Sequence, residues 1–148
     1  YVTTIANSGT CYNLTLIDKV QSSDGTLLRN GSATVRNVIN MDSSYWDAIH
    51  SGMRGVVQNM SFFSDFPYEV AGKTGTAQEA ADKPNHALFI SYAPYNNPKI
   101  AVATRVANGY TSSYAAQITE AVLEYYFGVT SLEDILNSSM DTGERISD

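Results

Sequence analysis

Cysteine is nearly absent. Cys11 is the only one in 148 residues, so no internal disulfide can form, and no Cys/His cluster has zinc-site spacing. Charge is sparse too: 16% of residues are Asp, Glu, Lys or Arg against 43% hydrophobic ones, which excludes a disordered chain and a charged coiled coil. No apolar run approaches the roughly 18 residues of a membrane span, and there is no internal repeat or low-complexity stretch. Nine Lys and Arg face fifteen Asp and Glu, and the net charge of −6 argues against a sequence-independent hold on nucleic acid or anionic lipid. Residues 131–148 hold five acidic side chains and one arginine, leaving the body nearly neutral. The length is that of one domain, read as a body over 1–130 and an acidic tail over 131–148. The chain opens at Tyr1 with no initiator Met, and Tyr1 to Ala6 reads as the end of a helix in progress, so an excised piece is expected.

What is present reads as alternating short elements. Asn7-Ser8-Gly9 stops a helix, and Leu14, Leu16 and Val20 fall at even spacing before Asp24-Gly25, a tight-turn pair, so a β-ribbon is expected over 14–29. Residues 32–39 look extended. Asp42, Ser43 and Ser44 are candidate helix N-caps, Asp47 stands three after Ser44 as in a capping box, and Trp46, Ile49, Met53, Val56, Val57 and Met60 recur at helical spacing, which predicts a helix over 43–60. Residues 61–68, with three Phe and Pro67, fit a loop or a buried crossing segment. Strands are expected over 70–78, 86–93 and 100–107, the last two joined through Pro94-Tyr95-Asn96-Asn97-Pro98 as an antiparallel meander. A helix over 113–127 follows, with Ala115, Ile118, Val122 and Tyr125 as its apolar face and Gly128 as its stop. A short helix over 132–136 precedes a fraying end. The fold class is α+β, an antiparallel sheet packed by helices.

The informative stretch is Val70 to Gln78. Its Gly72-Lys73-Thr74 suggests a phosphate loop, but that motif needs a glycine five residues earlier, where Pro67 stands, and Gly75-Thr76 is a poor helix opening. As a strand, it places Lys73 and Gly75 on one face and Thr74 and Thr76 on the other. A lysine, two hydroxyls and a free edge N–H near Thr76 suit a peptide carboxylate and a developing oxyanion, with Gly75 letting a ligand backbone lie close. From the triplet alone, an exposed lysine on an ordinary surface strand stands beside this reading.

The neighbouring segments separate the two. Lys-Thr-Gly is a signature of penicillin-binding proteins and class A β-lactamases. Here it is extended to Gly72-Lys73-Thr74-Gly75-Thr76-Ala77-Gln78 and followed by His86-Ala87-Leu88-Phe89-Ile90-Ser91-Tyr92-Ala93-Pro94 and Pro98-Lys99-Ile100-Ala101-Val102-Ala103. Upstream stand Thr4-Ile5-Ala6-Asn7-Ser8-Gly9-Thr10 and Gly52-Met53-Arg54-Gly55-Val56-Val57. In that order the segments resemble the last part of the transpeptidase domain of class B penicillin-binding proteins, of the penicillin-binding protein 2 kind.

The resemblance implies a penicillin-binding-protein/serine β-lactamase-like fold. It also implies a peptidoglycan D,D-transpeptidase that cross-links stem peptides through an acyl-serine and binds β-lactams, with no metal or organic cofactor. By the same resemblance Lys73 contributes positive potential, Thr74 and Thr76 hydrogen-bond the carboxylate of a D-Ala-D-Ala stem or of a β-lactam, Gly75 lines the same subsite, and the Thr76 N–H is one oxyanion donor. The implied setting is the outer face of the cell membrane, with the upstream part of the same domain and a SEDS-type glycosyltransferase as partners. The family's Ser-x-x-Lys and Ser-x-Asn are missing: no Ser precedes a Lys by three or an Asn by two. The chain is therefore expected to be the carboxyl-terminal part of the domain, inactive alone. A non-catalytic β-lactam-sensing or assembly module of the same fold is the alternative. Tyr95-Asn96-Asn97 matches a Tyr-x-Asn variant but follows the strand instead of preceding it, and reads as a turn. His50 and His86 are read as structural, Trp46 and Tyr114, Tyr125, Tyr126 and Phe127 as packing residues, and Arg54 as a solvated helix charge, with pairing to a carboxylate as its alternative.

Overall fold

The computed structural model describes residues 1–140, which form α1 (Val2–Ala6), β1 (Thr10–Tyr12), β2 (Lys19–Gln21), β3 (Leu27–Asn30), β4 (Val35–Val38), α2 (Ser43–Gln58), β5 (Ala71–Ala77), β6 (His86–Ala93), β7 (Ile100–Val106), α3 (Ser112–Phe127) and α4 (Leu132–Met140). The centre is a three-stranded antiparallel sheet of order β5-β6-β7, so β5 and β7 are both edges. β6 is the shared wall between two cores. Its Ala87, Phe89 and Ala93 pack with Ala115, Ala116 and Leu123 of α3, while Ile90 and Tyr92 pack with Met53 of α2 and with Ile5 and Ala6 of α1. This alternation places α3 on one sheet face and α1 with part of α2 on the other.

Gly9 shows why the chain turns where it does. Its φ of +100° is one that side-chain-bearing residues avoid, and a Cβ there would stand 2.7 Å from the Trp46 ring. Asp42 caps α2: its carboxylate accepts the Ser44 N–H at 2.9 Å and the Ser44 hydroxyl at 2.6 Å. The cap is thus two residues before the capping-box position at Ser44. Trp46, Met53 and Val57 of this helix are buried.

Three expectations are corrected. The ribbon does not run over 14–29; it is the shorter pair Lys19–Gln21 with Leu27–Asn30, turning at Gly25 (φ +87°). The Thr15 hydroxyl accepts the Ile17 N–H at 3.1 Å and so offers the chain a local turn in place of a ladder, and Leu14 and Leu16 are fully exposed. The buried face of α3 is Ala115, Ala116, Thr119 and Leu123, whereas Ile118, Val122 and Tyr125 of the expected face are exposed. Small side chains let the helix approach Phe89 closely, so bulk does not mark the inner face. α4 is longer than 132–136, and the expected fraying end falls on 141–148, outside the described residues. The segment 61–68 is a crossing segment with a 3-10 turn at Ser61–Phe63, and it buries Phe63 and Phe66.

Candidate functional site

The edge strand β5 is anchored at its entrance by Glu69. The Glu69 carbonyl accepts the Tyr95 N–H at 2.8 Å, and its carboxylate accepts Arg54 Nη2 at 3.2 Å and Asn96 Nδ2 at 3.3 Å. Arg54 Nη1 also donates to the Val70 carbonyl at 3.2 Å. Arg54 is therefore not a solvated helix charge: it ties α2 to the residues that open the strand. The alternative of a carboxylate partner holds, and its identity, Glu69 fifteen residues away, is what helix-face reasoning does not supply. A cleft of about 290 Å³ lies here, lined by Arg54, Met60, Phe63, Phe66, Tyr68 and Val70 among others, and it stops short of Lys73.

Val70 and Ala71, both buried, seat the strand, and β5 then runs register-matched along β6: Gly72 opposite Ser91, Lys73 opposite Ile90, Thr74 opposite Phe89, Gly75 opposite Leu88 and Thr76 opposite Ala87. Cross-strand partners share a face, so Lys73 and Gly75 lie on the Ile90 side and Thr74 and Thr76 on the Phe89 side. Lys73 and Thr76 are exposed, Thr74 and Gly75 half-buried. The Lys73 ammonium folds along the strand, donating to the Thr74 carbonyl at 2.9 Å and to its hydroxyl at 3.4 Å. Gly72 is buried because Phe89 takes its space, and a methyl there would overlap that ring.

Both histidines are held. His50 Nε2 faces the Ile5 carbonyl at 2.8 Å; a carbonyl only accepts, so the proton is on Nε2, and the ring meets Trp46 and Tyr92 edge-on or tilted. His86 accepts the Asn108 N–H on Nδ1 at 3.0 Å and faces Glu79 Oε2 with Nε2 at 3.0 Å. Among the described residues, neither histidine is hydrogen-bonded to a serine or cysteine side chain. Tyr92, fully buried with no partner for its hydroxyl among the described residues, has its phenol pushed up to about 12, by burial first and by Tyr95 second. Trp46 is buried and Phe127 stacks on Tyr68 at 4.3 Å, but Tyr114, Tyr125 and Tyr126 are exposed. Tyr95-Asn96-Asn97 lies in the β6–β7 connection, closed by the Lys99 N–H on the Ala93 carbonyl at 2.8 Å.

An antiparallel sheet with helices on both faces and Lys-Thr-Gly on its edge strand defines an α+β fold of the transpeptidase kind. Residues 1–124 match the model of the penicillin binding protein transpeptidase domain, and the chain belongs to that family. It is 39% identical over 101 residues to the peptidoglycan D,D-transpeptidase MrdA of Haemophilus influenzae, covering 55% of this chain and 16% of that one. It is 28% identical to penicillin-binding protein 2A of Bacillus subtilis, over all of this chain and 24% of the relative. Among solved structures it resembles the imipenem acyl-enzyme complex of penicillin-binding protein A from M. tuberculosis, with TM-score 0.75, 28% identity, and coverage of 85% of this chain and 29% of that one. It resembles penicillin-binding protein 2B of Streptococcus pneumoniae with TM-score 0.75 and 26% identity, over 89% of this chain and 24% of that one. The chain thus spans less than a third of each of these proteins.

Proposed function

We propose that this chain is one wall of the active site of a peptidoglycan D,D-transpeptidase, the carboxyl-terminal part of a protein that cross-links stem peptides through an acyl-serine and is acylated by β-lactams. The observation that carries this reading is the open edge β5, which presents Lys73, Thr74 and Thr76 within a family whose solved members include β-lactam acyl-enzymes. A carbonyl on the open side of an edge strand accepts a side-chain donor without losing a ladder bond, and the Thr74 carbonyl accepts Lys73. On this reading the Thr74 carbonyl faces the open side, and because backbone groups two residues apart on a strand point the same way, the Thr76 N–H faces it too.

In this mechanism the peptide or drug lies along β5. Its carboxylate takes hydrogen bonds from the Thr74 and Thr76 hydroxyls, with Gly75 giving room for its backbone. The Lys73 ammonium adds the fixed charge that draws an anion to an exposed edge, and the Thr76 N–H faces the carbonyl oxygen as negative charge grows on it. The acylating serine and its base are not among these 148 residues, so the fragment alone is inactive. The whole protein works at the outer face of the cell membrane, on stem peptides ending in D-Ala-D-Ala, beside a SEDS-type glycosyltransferase. The test is Lys73→Ala in the full-length protein: labelled penicillin should acylate it about 100-fold more slowly. An unchanged rate overturns the role given to this edge.

A further inference from the structure

The strand that carries Thr76 ends one residue later, and what holds the chain there is a side chain the reaction itself does not use. His86 opens β6 directly opposite Ala77, the last residue of β5. Its side chain is only 10% exposed and has both ring nitrogens engaged. Because Nδ1 accepts the Asn108 N–H at 3.0 Å, the ring proton stands on Nε2 and is donated to Glu79 Oε2 at 3.0 Å. The contact is a directed hydrogen bond to a carboxylate, in one tautomer that satisfies both sides.

Three segments meet at this ring: the exit of β5 through Glu79, the start of β6, and the turn between β7 and α3. That turn is tightly specified. Asn108 and Tyr110 have φ of +53° and +61°, Gly109 is buried against Ala87 and Val106, and the Tyr110 N–H reaches the Asn85 carbonyl at 3.0 Å. The segment 78–85 leaves the sheet and, among the described residues, has no side-chain hydrogen bond or ion pair except that of Glu79. The imidazole is rigidly placed; the carboxylate, 58% exposed, is the movable half.

We infer that Glu79 and His86 form a clasp that fixes the exit of β5 and thereby aims the N–H and hydroxyl of Thr76, making both of them positioning residues for the acylation site. The inference rests on the transpeptidase reading of the edge. Oxyanion donors act only over a narrow range of placement, and a displacement of about 1 Å costs up to on the order of 100-fold in rate.

The experiment is acylation of the full-length protein by labelled penicillin, with binding separated from the acylation step, in Glu79→Ala, Glu79→Gln and Lys73→Ala. Glu79→Ala should acylate on the order of 10-fold more slowly at unchanged melting temperature, since the carboxylate is mostly solvated. Glu79→Gln should recover most of the rate, because its amide oxygen still accepts from Nε2. A wild-type rate in Glu79→Ala with a loss in Lys73→Ala overturns the clasp and leaves the edge reading standing. Equal losses in Glu79→Ala and Glu79→Gln also overturn it, since charge and not the hydrogen bond would then matter. Wild-type rates in Glu79→Ala and Lys73→Ala overturn the edge reading and the clasp with it.

Discussion

Thr104 on β7 and Thr119 on α3 bring their hydroxyls within 2.7 Å of each other in the interface between sheet and helix. Thr119 spends its own proton on the Ala115 carbonyl at 2.8 Å, so Thr104 is the donor of the pair. A polar residue sits on the innermost face of α3 because its hydrogen-bonding capacity is met from both sides. Thr119→Val keeps the shape and leaves Thr104 without its acceptor. It should lower stability by about 1–3 kcal/mol in denaturant unfolding of the full-length protein, whereas the paired change Thr104→Val with Thr119→Val should recover part of that loss.

The two glycines of the edge strand should respond differently. A methyl on Gly72 collides with Phe89, which is fully buried and cannot move aside, while a methyl on Gly75 meets the Leu88 Cβ at 3.2 Å. Gly72→Ala should cost about 1–3 kcal/mol by overpacking. Gly75→Ala should leave the melting temperature nearer that of the parent, and any loss it causes should fall on penicillin acylation.

Glu120 on α3 has its carboxyl pushed up to about 7, first by partial burial and then by the charges of Glu124 and Asp65. The folded state therefore holds this proton more tightly than the unfolded chain, whose Glu titrates near its ordinary value. The stability gained from the proton is fully present below the unfolded value and is lost as the pH rises through about 7. Glu120→Gln should consequently melt higher than wild type at about pH 8 and converge with it at about pH 4. Equal melting temperatures at the higher pH would contradict this.

Arg54 holds the carbonyl of Val70 and the carboxylate of Glu69 with two nitrogens of one guanidinium. Lysine cannot span both acceptors. Arg54→Lys should slow penicillin acylation by loosening the start of β5 while leaving the helix intact, as circular dichroism would show. Full retention of the rate would mean that the entrance of the strand is held by Tyr95 and Asn96 alone.

Much of the framework is legible because its signals are local. The alternation from Ala71 to Ala77, the turn residues between Ala93 and Ile100, and Gly128 with φ +68° at the end of α3 each act within a few residues. What the sequence conceals depends on distant partners. Ala115 lies inside as expected, but Ala116 and Thr119 look unremarkable beside Ile118 and Tyr125, and only the opposing Phe89 and Thr104 decide which face turns inward. Thr15 bends a stretch whose leucines alternate like a strand. At the candidate site the strand residues are readable from their order, whereas Arg54, Glu69, Glu79 and the orientation of His86 come from contacts that no spacing rule reports.

Because one strand supplies side chains to both interiors, neither interior can assemble while the other is absent. Phe89 and Tyr92 are three residues apart, fully buried, and belong to different clusters. The body built on β6 should therefore lose its order in one concerted step, with amide exchange across β5, β6 and β7 reporting a common opening energy.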